Sequence, residues 1–314
     1  VAGISSGGTG SFTTGVIVGL GSVIVNGIRY DDDAASISFN GASATAAALQ
    51  LGMVVRIRGS AVTPATTAGA LATATASSIA CGSEWKGPVS DVDVSGNTFT
   101  LLGQTVHVLA STVFSGGTFN GDLKNGGYAE VYGFIDPTDG SLQASRVEIE
   151  DSAPDRFQLS GLVKNLNTTT FQLGSALINH AKADKPASLQ NGQLVRVELD
   201  PEQVDGAWVA TEVKVEDYSD ELEDDDEAEI EGTVTAFTSP TAFSVNGIAV
   251  DGSQTTTPTG LALGVRVEVK GSIRNGVVIA SEIEIEDEDE LDAQEFEFHG
   301  SVSELDTVAK TFVI

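Results

Sequence analysis

The chain has 314 residues, enough for two ordinary domains or for a larger number of small ones. Apolar residues make up 41%, so it can bury cores and is not disordered throughout. Its 16 basic and 45 acidic residues give a formal charge of −29, which excludes a role resting on nucleic-acid phosphates or on anionic lipid.

No apolar run approaches the roughly 18 residues that cross a bilayer. Met53 is the only methionine, so Val1 is not an initiator and a segment upstream is expected. Cys81 is the only cysteine, which rules out an intrachain disulfide without fixing the compartment.

Residues 1–14 form a Gly-rich arm, and five related units follow. Gly15, Gly87, Gly161, Gly232 and Gly300, each followed two residues later by Val or Ile, open them. A second block recurs as Leu49, Gly52, Val55, Ile57, then Leu123, Gly126, Ala129, Val131, then Leu189, Gly192, Val195, Val197, and finally Leu261, Gly264, Val267, Val269. A third closes four units as Ala76-Ser-Ser-Ile79-Ala-Cys81, Ala144-Ser-Arg-Val147-Glu-Ile149, Ala210-Thr-Glu-Val213-Lys-Val215 and Ala280-Ser-Glu-Ile283-Glu-Ile285. Self-similarity at about 70 residues marks a tandem array.

In the first unit, 15–81, period-two alternation predicts strands over 15–20, 22–25, 28–30, 53–58 and 77–81, with one or two helical turns within 42–51. Asn26-Gly27, matched by Asn246-Gly247, predicts hairpin turns that need positive φ at both central residues. The same plan predicts barrels over 82–151, 152–218 and 219–290, and an incomplete fifth unit over 291–314. The fold expected is all-β: tandem small five-stranded antiparallel barrels of oligonucleotide-binding (OB-like) type, joined by acidic linkers. The acid is concentrated at the seams. Residues 216–231 hold 11 acids and 282–297 hold 10, with no Lys or Arg in either, so both read as solvated, extended spacers. Val55, Ile57, Ala129, Val131, Val195, Val197, Val267 and Val269, with Ile79, Val147, Val213 and Ile283, are expected inside the barrels.

Candidate chemistry is sparse. His107, His180 and His299 occupy non-equivalent positions in three units, so no Ser-His-Asp or Cys-His arrangement is repeated. There is no Cys-x-x-Cys-His for haem and no phosphate-binding loop, so no catalytic, cofactor-binding or metal residue is assigned. Cys81 aligns with Ile149, Val215 and Ile285 and reads as a small buried apolar side chain. Asp224-Asp-Asp226 and Glu286-Asp-Glu-Asp-Glu290 lack the alternating Asp spacing of a calcium loop, and Asp31-Asp-Asp33 after the third strand is the more structured cluster. The expectation is weak, diffuse Ca²⁺ binding, with a specific calcium site as the lesser alternative. Trp85, Trp208, Tyr128 and Tyr132 form a carbohydrate platform only if they share an open face; packing against the next unit is the simpler role.

The Phe-x-Val-Asn-Gly, Leu-x-Leu-Gly-x-x-Val-x-Val-x-Gly and Ala-Ser-x-Ile-x-Ile-Glu-Asp segments resemble a tandem bacterial repeat family known as a domain of unknown function. The opening Gly7-Gly-Thr-Gly10 and Gly19-Leu-Gly-Ser-Val-Ile-Val-Asn-Gly27 resemble its multi-repeat members. The third unit departs from the pattern, lacking the Asn-Gly turn and the Gly that closes the fourth strand. The resemblance implies export by Gram-negative bacteria, often behind a lipid-anchoring signal upstream, and hence a cell-surface or extracellular setting, with the periplasm as alternative. It supplies no catalytic residue.

The expected function is a non-enzymatic structural or adhesive repeat protein, a filament subunit that pairs head to tail with its own copies through 291–314, residues 1–11 being a weak strand donor. The alternative is an envelope-held module binding a glycan or a divalent cation. Neither nucleic acid nor a transmembrane segment is expected.

Overall fold

The computed structural model describes residues 10–67 and 69–286, together with the backbone of 297–298, 303–306 and 311–313. The second unit is built from β9 (Trp85–Asp93), β10 (Thr98–Leu101), β11 (Gln104–Ser115), β12 (Tyr128–Ile135) and β13 (Leu142–Glu150). β9 pairs with β10, β10 with β11, β11 in parallel with β13, β13 with β12, and β12 returns to β9. This closed order, first-second-third-fifth-fourth, is that of an OB-like barrel, and closure pairs every strand while leaving half of the first strand's outer edge free. The third unit repeats it with β14 (Phe157–Lys164), β15 (Thr170–Leu173), β16 (Ala176–Asn179), β17 (Leu194–Val204) and β18 (Ala207–Val215). So does the fourth, with β19 (Glu227–Ser239), β20 (Ala242–Val245), β21 (Ile248–Asp251), β22 (Arg266–Arg274) and β23 (Val277–Ile285).

The first unit follows the same order with its first strand in two pieces, β1 (Gly10–Val16) and β2 (Gly19–Leu20). Within the break Ile17 N–H donates to Met53 O and Val18 N–H to Ile24 O, both 2.9 Å, so the strand stays bonded to its neighbours on either side. β3 (Val23–Val25), β4 (Ile28–Asp31), β7 (Val54–Ser60) and β8 (Ala72–Cys81) complete it. An inserted hairpin, β5 (Ser36–Phe39) and β6 (Ala42–Ala44), lies along the second half of β8. In the second unit the long β11 runs beside β13 on its own.

All twelve side chains expected inside the barrels are buried. The turn signals hold for a steric reason. At Asn26-Gly27 and Asn246-Gly247 both residues take φ between 47° and 84°. Each Asn side chain folds back over the glycine that opens its unit. A Cβ on Gly15 would stand 2.2 Å from Asn26 Oδ1, and one on Gly232 2.1 Å from Asn246 Nδ2. The bare glycine lets Asn246 Oδ1 accept the Thr233 N–H at 3.0 Å. The second unit puts Leu102 at φ +51° in the same turn, a costly conformation for leucine, and its side chain roofs Gly87 instead.

Three sequence expectations are corrected. The first strand starts at Gly10, so part of the expected N-terminal arm is barrel wall. Within 42–51, where helical turns were expected, β6 takes Ala42–Ala44 and only the single 3-10 turn Ala46–Ala48 is helical. Residues 216–231 are not an extended solvated spacer. They make a 3-10 turn (Ser219–Glu221) and enter β19, with carboxylates taken up by Arg56, Arg58, Arg196 and Arg266. The seam 282–297 and the fifth unit fall largely outside the described residues. Backbone pairing there joins β24 (Glu297–Phe298) in parallel to β2, and β25 (Ser303–Asp306) to β26 (Thr311–Val313).

The barrels are therefore not separate beads. Each presents one half of its first strand to another unit. β1 pairs in parallel with β19, Ser11 opposite Glu227 through Thr14 opposite Ile230. β9 pairs antiparallel with β14, Trp85 opposite Leu159. The second and third units share one continuous hydrophobic core. Phe12 of the first unit is buried in the core of the fourth, a contribution of about 1.5–3 kcal/mol. Tyr132 of the second unit is buried in the core of the first, edge-on to Phe39 at 6.3 Å. Its hydroxyl is buried without a hydrogen-bond partner. Tyr132→Phe is therefore expected to stabilise the protein by about 1 kcal/mol in denaturant unfolding, since it removes a desolvated group that gains nothing in return. A loss of stability would mean that the hydroxyl is satisfied.

Candidate functional site at the four-barrel junction

The units meet around a cavity of about 60 Å³, lined by all four barrels and the segments between them. That volume holds a few water molecules. Arg56 of β7 and Arg196 of β17 enter it from equivalent places in the repeat, each between two barrel-interior residues of the fourth strand. Period-two geometry sends such a residue outward, here into the contact between units. Arg56 donates to both carboxylate oxygens of Glu221, each at 3.2 Å, and stacks 4.0 Å over the Tyr218 ring. Arg196 lies 3.3 Å from Glu216 and donates to Asn40 Oδ1 at 3.1 Å, which ties hairpin β5–β6 to the third unit. Tyr218 donates its hydroxyl to Glu216. Glu84, on the segment leading from the first unit to the second, also lines the cavity.

Burial pushes the Glu84 carboxyl up, against the pull of Arg196, and Glu216 adds to the rise. The Tyr218 phenol is pushed well above its ordinary value by burial and by Glu216. For Arg56 burial acts downward, but Tyr218, Glu221 and Glu216 outweigh it and the net shift is upward.

A second cluster binds three units. Glu231 accepts the Val16 N–H at 3.2 Å and pairs with Arg266, whose guanidinium lies 4.2 Å over Phe134 of the second unit. Both members of the pair are more than nine-tenths buried.

The residues singled out from the sequence are not gathered at either cluster. Cys81 is buried, 3.5 Å from Ser38 O, with its thiol pushed up to about 11 by burial, so it stays an unreactive thiol near neutrality. His180 is buried against Phe171 with Nε2 3.1 Å from Asn167 O, and burial draws its pKa down. His107 is half-buried on β11, and His299 lies outside the described residues. Asp31 accepts the N–H of Asp33 at 3.2 Å in a local turn. Among the described residues no three His, Cys, Asp or Glu side chains converge as a metal site requires. The four aromatics are packed. Trp85 is buried with its indole N–H donated to Ser160 O at 2.9 Å, while Tyr128 and Trp208 both pack on Phe157.

Arg56, Arg196, Glu84, Glu216 and Tyr218 were not singled out. The available signal was an arginine in the middle of an otherwise apolar strand, Val55-Arg56-Ile57 and Val195-Arg196-Val197.

Residues 86–148, 149–214 and 231–284 match the model of a family described as a domain of unknown function (DUF5666), more than half of the chain. The chain belongs to this family. The three DUF5666 matches fall on the second, third and fourth barrels. A solved structure of Drosophila Unr, CSD456, is 17% identical, with 65% of this chain and 97% of that one covered and a TM-score of 0.15. No curated protein matches the chain in sequence. No described helix is long and apolar enough to cross a membrane.

The DUF5666 barrels also carry a pH dependence. On the fourth, Glu229 is pushed up to about 9, from an ordinary 4.5, by burial and by neighbouring Glu268, against Lys270. A raised carboxyl favours the protonated fold, so its contribution is complete below about 4.5 and is lost as pH climbs through about 9. Self-repulsion at −29 acts in the same direction. The thermal midpoint should therefore fall steadily from about pH 5 to about pH 9, and Glu229→Gln should flatten part of that fall. A midpoint that rises across this window would contradict the assignment.

Proposed function

We propose that this chain is a non-enzymatic structural or adhesive repeat protein of the cell surface or extracellular space, and that it associates with copies of itself head to tail. The supporting observation is the coupling mode. First-strand edges join barrel to barrel at β1·β19 and β9·β14, and at β2·β24 in the backbone. Strand addition of this kind draws most of its affinity from backbone hydrogen bonds and works between chains as well as within one. What recurs from unit to unit is also architectural. Interior positions and the turn that opens the third strand repeat, while the outward residue of the fourth strand reads Arg56, Glu130, Arg196, Glu268, reversing charge at each step. The aromatics that a glycan platform would use are committed to packing between units. The surface setting follows the expectation attached to the resemblance.

The test is native mass spectrometry with negative-stain microscopy of the full chain over a range of concentration and salt. End-to-end oligomers or filaments are the expected result. A monodisperse single chain under every condition would overturn the proposal.

A further inference from the structure

The junction holds one carboxylate more than its guanidinium groups match. Arg56 is taken bidentately by Glu221, and Arg196 faces Glu216, whose other oxygen accepts the Tyr218 hydroxyl. Glu84 is the third carboxyl on the cavity wall, and it feels the charges of both Arg196 and Glu216. The remaining cavity wall, Thr14 of β1, Gly133–Ile135 of β12, and Thr235, Asn246 and Ile248 of the fourth unit, brings no further titratable group. Cys81, at the end of β8, also feels Arg56 and Arg196 and is neutral. An extra negative charge on this wall, where Glu84 is half-buried, would face Glu216 across a cavity that holds only a few water molecules.

Glu84 is placed where such a charge would act on several units at once. Its backbone N–H donates to Val131 O of the second unit at 2.9 Å, and its carbonyl accepts from Ser160 N of the third at 3.1 Å. It follows Gly82, whose Cα lies so close to the Arg196 guanidinium that a Cβ would approach Nη1 to 2.8 Å.

We propose that Glu84 is a proton-held keystone: neutral, it lets the four barrels close on the junction, and ionised, it drives them apart. That proton gives the association of the repeats a response to rising pH of its own, separate from that of Glu229 within the fourth barrel. The direction of the Glu84 shift agrees with this, burial being its largest cause. The inference stands apart from the structural reading, since it concerns cohesion within one chain.

The test compares thermal midpoints of the full chain as wild type, Glu84→Gln, Glu229→Gln and the double variant from about pH 5 to about pH 9. Glutamine mimics the neutral acid. In the Glu229→Gln background, Glu84→Gln should match its parent at the acid end and exceed it by several degrees at the alkaline end. A gap that is constant with pH, or that favours the parent in alkali, would overturn the keystone. Should Glu84→Gln fail to fold, Glu84→Met, which also removes the ionisable group, takes its place in the same comparison: a gain over the parent that grows with pH supports the proposal, and a gap constant with pH ends it.

Discussion

Glu231→Ala is expected to lower the unfolding free energy by about 3–5 kcal/mol, because it strips the paired carboxylate from a buried arginine. Arg266 would keep its place over Phe134 with its charge uncompensated, and the Val16 N–H would lose its acceptor. Glu231→Gln keeps an acceptor for Val16 and should cost less, about 1–3 kcal/mol. Replacing Glu231 and Arg266 together by methionine should cost least of the three, since no orphan charge remains. Urea midpoints of the variants check the order. If the alanine variant proved no worse than the double replacement, Arg266 would be finding solvent and the pair would not be a true buried link.

Val269→Asp should have the largest effect, because it places an unpaired carboxylate at a position with no exposure in the core of the fourth barrel. The penalty of several kcal/mol is enough to unfold that unit. The damage should not stop there. β19 carries the edge that β1 pairs with, and the same core holds Phe12. Hydrogen exchange should therefore show lost protection over 227–285 and over 10–16, with β9 through β18 retained on their own shared core. Protection kept over 10–16 while 227–285 melts would show that the first barrel stands without its partner.

Much of the barrel was legible because its signals are local. An interior strand residue announces itself by alternation with its immediate neighbours, so Val55, Val131, Val197 and Val269 were placed by pattern alone. Asn26-Gly27 and Asn246-Gly247 were legible because a type I′ turn constrains two adjacent residues. Asn40-Gly41 carries the same signal, with φ of 49° and 82°, but it stands in a hairpin without a counterpart in the other three barrels, so no repeat reinforces it. The error over residues 216–231 has a different cause. Counting charge within the run found no cation, but Arg56 lies 165 residues from Glu221 and Arg266 lies 35 from Glu231. A run of acids is solvated only if nothing distant comes to meet it. The junction went unseen for the same reason, since a contact among four units leaves no periodic mark in any one of them.

The pairing of β1 with β19 sets an order of events. Along the chain the partnerships nest like brackets, the second and third units inside and the first and fourth outside, with 215 residues separating Val16 from Glu231. Closing a long loop is slow, and contacts between near neighbours in sequence form sooner. The inner pair can complete itself while the fourth unit is still being synthesised. The first barrel, made before the other three, must wait for the fourth, holding β1 as an open edge in the interval. Refolding followed by pulsed exchange should accordingly show β9 and β14 protected early and β1 late. That interval is when this protein is most exposed to pairing with the wrong chain.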